Sequence, residues 1–187
     1  PKTGFDMKKN ILISVLIIVG IILLDQLTKG ILLYAITGTV PLIGSAWDIV
    51  PMPYLMTQVC DFFNIVFTWN PGASFSMLRG IGEAAPIIMV ILTGAIIGFI
   101  GYYLFVRAKS YERVPLAMIM GGALGNLIDR IRFGAVVDFL DFHIGGWHYP
   151  SFNIADTCIV IGVFLFILNW YLARRRCVKS VKNQGNN

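Results

Sequence analysis

The sequence predicts an all-α membrane protein: a bundle of four transmembrane helices carrying a small extracytoplasmic β-sheet, with both termini cytoplasmic. Three observations lead there. Hydrophobic residues make up 57% of the 187 residues and charged residues only 13%, which lies outside the composition of soluble domains. Four apolar stretches reach or approach the length needed to span a bilayer. Once those four are threaded, the basic residues gather on one side.

The length fits a single domain, residues 1–187. Residues 1–6, ahead of Met7, are expected to be a remnant of expression and are left out of the fold. The first span is expected at 11–34. It has no small-residue cleavage site, and Asp25 and Lys29 lie near its outer end, so it reads as a retained helix rather than a signal peptide. An outer segment, 35–83, follows. Its early part, Thr37–Asp61 with Pro41, Pro51 and Pro53, reads as loop, with Trp47 and Tyr54 suited to the headgroup zone. Phe62–Asn70 is aromatic and β-branched, so a strand is expected, with Asn64, Val66, Thr68 and Asn70 on one face. Pro71-Gly72 turns it, and Ala73–Leu78 is expected to form a second strand.

The second span is expected at 84–106 and the third at 114–128. Gly121, Gly122 and Gly125 in the third favour close helix approach in lipid. Pro86 and Pro115 are placed in the first turns of their helices, where a missing N–H costs little. The next outer segment, 129–151, contains the strand-like Ala135–Phe142. Alternation there puts Asp138 and Asp141 on opposite faces unless the strand bulges. The fourth span is expected at 152–173. The three cysteines, Cys60, Cys158 and Cys177, form no CxxC pair, so neither a disulfide framework nor a zinc site is implied.

With four spans, eleven basic residues fall on the side of the termini and four (Lys29, Arg79, Arg130 and Arg132) on the other. That asymmetry makes the termini cytoplasmic. Eight of the ten acids then lie on the outer side, and Asp25, Asp129 and Asp156 converge at one depth.

Carboxylates and carboxamides beside hydrocarbon cost a few kcal/mol each, which makes a functional role the default expectation. The stretch Gly121–Asp156 supplies most of them. Asp25 and Lys29 are four apart on a helix, compatible with an ordinary ion pair or with positioning a substrate. Asn126, Asp129 and Arg130 share one helical face and could form an interhelical polar clamp. Asn153 with Asp156 resembles a helix N-cap with an acid three residues on. Asp138, between Val137 and Phe139, has no such local explanation, because strands disfavour Asp. Two carboxylates meeting in a partly dehydrated site share a proton. One can then take a proton from water while the other gives one to a carbonyl oxygen, which is peptide hydrolysis without metal or covalent intermediate. His143 and His148 lack the HExxH spacing, and no GxSxG occurs.

Five blocks in order, Asp25–Lys29 (DQLTK), Asn70–Ser76 (NPGASFS), Gly121–Arg130 (GGALGNLIDR), Val136–Phe139 (VVDF) and Phe152–Asp156 (FNIAD), resemble the lipoprotein signal peptidase family, signal peptidase II, bacterial intramembrane aspartyl proteases. The resemblance implies four helices with a small β-cradle, and removal of the signal peptide from diacylglyceryl-modified prolipoproteins just before the lipidated cysteine. It puts the catalytic pair on Asp138 and Asp156 and makes Asp129 a supporting residue. Asp25, Lys29, Asn70, Gly72, Asn126, Arg130, Asn153 and Ala155 then line or brace the site. It also implies a multi-pass protein of the bacterial cytoplasmic membrane, active at its outer face, lipid contact, and inhibition by globomycin-type cyclic peptides. No cofactor, metal or nucleic-acid partner is expected, and the protein is expected to be a monomer.

Two rivals come from other classes. A small proton-coupled transporter would use intramembrane carboxylates as a relay, but the chain has no convincing inverted repeat and its acids crowd one face. A non-catalytic lipoprotein-binding scaffold would give Asp138 no task.

Overall fold

The computed structural model describes residues 4–50, 54–72 and 84–184. In chain order the elements are α1 (Gly4–Thr37), α2 (Ala46–Ile49), β1 (Tyr54–Cys60), β2 (Phe63–Asn70), α3 (Ala84–Tyr102), α4 (Ser110–Phe133), β3 (Val136–Ile144), β4 (Trp147–His148) and α5 (Ile154–Gln184). A π-helical turn, Tyr103–Arg107, continues α3. Among the described residues four stretches are long and apolar enough to cross a membrane: Lys9–Thr37, Pro86–Arg107, Ser110–Phe133 and Ile154–Arg176. Their outward faces are lined with exposed Leu, Ile, Val and Phe, as lipid-facing surfaces require.

Helix α4 is the hub, packed against α1, α3 and α5. It is longer at both ends than the expected 114–128. Asp129, Arg130 and Arg132 interrupt the apolar run but not the helix, which ends at Gly134 in the left-handed conformation, φ 76°. Pro115 therefore lies one turn deeper than the expected first-turn position. Its missing N–H orphans the carbonyl of Tyr111, and Asn169 of α5 donates to that oxygen at 2.8 Å.

The glycines of α4 set how closely its neighbours approach. A Cβ on Gly122 would collide with the backbone carbonyl of Ala155 in α5, and one on Gly125 would lie 2.7 Å from Asp25 Oδ2 in α1. Small residues here let helix backbones meet, so packing and hydrogen bonds can replace an absent hydrophobic drive.

The sheet is antiparallel in the order β1-β2-β3-β4. Strand β1 lies within a stretch expected to be loop. The neighbouring prolines and two irregularities in its register with β2 hide its alternation. The expected strand Ala73–Leu78 lies outside the described residues. Between β2 and β3 the pairing passes from Ile65↔Leu140 to Thr68↔Asp138, so β2 carries one extra residue. That bulge breaks the single face expected for Asn64, Val66, Thr68 and Asn70: Asn64 goes with Asp141 and Asn70 with Asp138. The sheet rests on the C-terminal ends of α1 and α4 through a core including Leu33, Phe67, Trp69, Phe133 and Val137. Trp69 also donates its indole N–H to Val50 O at 2.9 Å.

Gly125→Ala is expected to lower the thermal unfolding temperature in detergent, by the equivalent of about 1–3 kcal/mol for an overpacked site. Gly98→Ala, where nothing lies within 4 Å of the added Cβ, should leave it unchanged or raise it. Equal effects would show that helix approach at Gly125 is not tight.

Candidate active site

The polar interior begins with one lysine. Lys29 Nζ lies 2.8 Å from Asp25 Oδ2 and 2.8 Å from Asp129 Oδ2, all three side chains being at most 2% exposed. The i,i+4 pair expected from sequence exists, but it is buried and three-membered, and it joins α1 to α4. The same ammonium donates to Asn126 Oδ1 at 3.2 Å. Each acid reaches onward: Asp25 Oδ1 accepts the N–H of Ala155 at 3.0 Å, and Asp129 Oδ2 accepts that of Val137 at 3.2 Å. The cluster therefore pins the first turn of α5 and the start of β3.

Two carboxamides carry the arrangement to the candidate pair. Asn126 Nδ2 donates to Asp156 Oδ1 at 2.7 Å, while its oxygen accepts from Asn153 Nδ2 at 3.1 Å. Asn153 Nδ2 also donates to Asp138 Oδ1 at 2.7 Å. The oxygen of Asn153 accepts the N–H of Asp156 at 2.9 Å, so Asn153 is the N-cap of α5. Asn153 thus caps α5 with its amide oxygen and meets Asp138 with its amide nitrogen. Asp156 does not complete a reciprocal capping box, since Oδ1 is directed to Asn126.

Asp138 is 1% exposed. Its second oxygen accepts from Asn70 Nδ2 at 2.8 Å, and Asn70 Oδ1 accepts the N–H of Gly72 at 2.8 Å. Gly72 has φ 99°, a conformation that favours glycine, and it brings the backbone over Met89 and Arg130. Burial pushes the Asp138 carboxyl up to about 7; the Asn70 hydrogen bond opposes this and the nearby Asp156 charge adds to it. Asp156 is half-buried and opens, with Asn70, onto a cleft of about 470 Å³. Tyr149, Phe152, Val160 and Ile161 line the same cleft, which runs from the sheet down the lipid-facing side of α5.

Asp141 stands apart, as alternation predicts. It accepts from Asn64 Nδ2 at 2.9 Å and pairs with His148 Nδ1 at 2.8 Å. Burial would raise its carboxyl, but the bonds from His148 and Asn64 outweigh that and hold it below its ordinary value.

Two residues of the site escaped the sequence reading. Gln26 Nε2 donates to Asp129 Oδ1 at 2.8 Å and lies 3.3 Å from Asp25 Oδ2, so it helps satisfy both acids. Arg132 donates to Gln26 Oε1 at 3.0 Å and to the carbonyls of Pro41 and Leu42 at 2.7 and 2.9 Å. A carboxamide inside an apolar span was the available signal for Gln26; Arg132 gave none beyond its charge. Arg130, which the resemblance puts among the residues that line or brace the site, is half-buried, and its Nε has no hydrogen-bond partner among the described residues. The loop at Pro41–Leu42 is held by Arg132.

Residues 17–172 match the family model described as signal peptidase (SPase) II. The chain is 37% identical over 164 residues to the lipoprotein signal peptidase of Anaplasma phagocytophilum, covering 86% of this chain and 92% of that protein. It is 36% identical over 170 residues to the lipoprotein signal peptidase of Syntrophus aciditrophicus, covering 87% and 94%. Among solved structures, a bacterial membrane enzyme determined by the in meso method superposes with a TM-score of 0.63 at 33% identity, over 83% of this chain and 90% of that one.

Lys29→Met leaves two buried carboxylates without their cation, which should destabilise the protein by about 3–5 kcal/mol. Adding Asp25→Asn should recover part of that loss. Thermal unfolding of the single and double variants measures the coupling, and strictly additive losses would contradict the three-membered cluster.

Proposed function

The chain belongs to the signal peptidase II family, and on that premise we propose that it cuts its substrate with a water molecule activated between Asp138 and Asp156. It is a lipoprotein signal peptidase, a protease that removes signal peptides from prolipoproteins. The observation that carries the aspartyl mechanism is the Asn126–Asn153 bridge, which holds one carboxylate at each end. Asp138 is closed off behind the bridge, whereas Asp156 faces the cleft.

In this reading Asp138, whose carboxyl burial raises to about 7, is the acid of the pair and Asp156 the base. Asp156 takes a proton from the water as its oxygen attacks the scissile carbonyl carbon, and Asp138 gives its proton to the carbonyl oxygen. The tetrahedral diol then collapses: the C–N bond breaks, the amine leaves with a proton from Asp156, and a hydroxyl proton returns to Asp138. Asn126, Asn153 and Asn70 keep the two groups oriented. Asp25, Lys29, Asp129 and the Ala155 N–H brace them from beneath. Arg130, beside the Gly72 turn, faces the substrate chain near its point of cleavage.

The substrate in this reading is the diacylglyceryl-modified prolipoprotein, cut before the lipidated cysteine. Its acyl chains lie along α5 past Val160 and Ile161, where the cleft meets the lipid-facing surface. Most of the binding area then comes from lipid and little from peptide, so many lipoprotein sequences are accepted. Globomycin-type cyclic peptides would fill the same cleft. The distribution of basic residues supports a location in the bacterial cytoplasmic membrane with the site at its outer face, and a monomer holds the whole site.

Purified protein in lipid, given a diacylglyceryl-modified prolipoprotein, should release the signal peptide in a gel-shift assay. Asp138→Asn and Asp156→Asn should each slow release by roughly a thousandfold while still binding substrate. Normal cleavage by both variants would remove the aspartyl mechanism, and equal turnover of non-lipidated precursor would remove the lipid requirement. The pH profile of kcat/KM supplies a second test. Asp138 must keep its proton to act as the acid, so activity should fall as pH rises through about 7. A rate that stays flat through that window would place the proton on another group.

A further inference from the structure

The bundle has a second polar cavity at its other end. From Asp156 to Arg174 along α5 the rise is about 27 Å, close to the thickness of a hydrocarbon core. There Tyr103, Lys109 and Tyr111, at the junction of α3 and α4, face Phe166, Trp170 and Arg174 of α5 around about 560 Å³. None of these residues belongs to the peptidase site.

Three features distinguish this cavity from an ordinary gap between helix ends. The first is the π-helical turn that ends α3, in which Ala108 N–H donates to Tyr103 O at 2.8 Å; such turns recur at functional sites. The second is the state of the charges. Glu112 also lines the cavity, but its carboxylate is buried and already accepts the Lys109 backbone N–H at 2.7 Å and lies 3.4 Å from the Tyr103 hydroxyl. Lys109 and Arg174 form no ion pair among the described residues. They lie instead over aromatic rings, Lys109 Nζ 5.9 Å from the centroid of Tyr111 and Arg174 Cζ 5.6 Å from that of Trp170. The third is a stripe on α5. Phe166, Trp170 and Arg174 are spaced four apart, so one face passes from apolar through amphipathic aromatic to cationic toward the helix end.

We infer that this cavity binds the phosphodiester headgroup of a membrane glycerophospholipid. Lys109 and Arg174 take the phosphate, Trp170 and Tyr111 lie at the level of the glycerol, and Phe166 meets the start of an acyl chain. The graded stripe fits an amphiphile, whereas a free phosphate would use only its last residue. Basic groups near a membrane surface attract anionic lipid.

Native mass spectrometry of the full chain in detergent, titrated with phosphatidylglycerol, tests the inference. Wild type should retain one lipid, and the double variant Lys109→Gln, Arg174→Gln should bind it roughly tenfold more weakly or less well still. Trp170→Ala should also weaken retention although it removes no charge. Arg175→Gln removes an equal charge that lies over Tyr171, outside the cavity, and should leave binding intact. Signal-peptide release in detergent at the wild-type rate would show that each variant is folded. Equal loss in Arg175→Gln and the double variant would overturn the inference, as would displacement of the lipid by inorganic phosphate at equal concentration.

Discussion

The structure depends on placing one ammonium between two carboxylates where water is scarce. Lys29 is 2.8 Å from both Asp25 and Asp129. Breaking such a pair would leave an uncompensated buried charge, a far larger penalty than the net worth of the pair itself. Geometry around it is correspondingly strict. Gly125 has no room for a Cβ because Asp25 Oδ2 occupies that space. One cation cannot neutralise two acids fully, and the remaining lone pairs are met by Gln26, the Ala155 N–H and the Val137 N–H. Three elements that are distant in sequence thereby acquire a fixed mutual position beneath the candidate pair.

Above that base, orientation is carried by carboxamides, and the choice of Asn over Asp follows from donor and acceptor counts. Asn126 accepts at one end from Lys29 and Asn153 and donates at the other to Asp156. Asn153 caps α5 with its oxygen and addresses Asp138 with its nitrogen. An acid at either position would lack the donor and would add a third negative charge between Asp138 and Asp156. A neutral group with both polarities is the side chain that can stand between two carboxylates and favour both.

Much of this was legible in the sequence, and the exceptions have physical causes. Four spans and the strand character of β2 and β3 follow from hydropathy and β-branched content. The end of α4 was not legible, because Asp129 and Arg130 end the apolar run while the helix continues to carry them inward. Strand β1 was hidden by flanking prolines and irregular pairing, and the β2 bulge moved Asn64 away from Asn70 in a way that strict alternation does not allow. The convergence of Asp25, Asp129 and Asp156 at one depth could be read from topology alone. Which two acids form the reacting pair could not, and it was the family resemblance that put Asp138 ahead of Asp129. The structure shows a physical difference: Asp129 is bonded to a cation and a backbone N–H, whereas the side-chain hydrogen bonds to Asp138 come from two carboxamides.

That difference explains why two aspartates so close in sequence suit opposite roles. Asp129, joined to an ammonium and a backbone N–H, fits a brace. A buried carboxyl that meets only neutral donors is free to carry a proton at neutral pH. Alternation along β3 adds a second separation, sending Asp141 to Asn64 and His148 and so keeping a third negative charge away from the pair. Placing the sheet across the helix ends then does two things at once. It covers the polar cluster from water, and it leaves one open side, along α5, through which the proposed reaction would bring a peptide bond to Asp156.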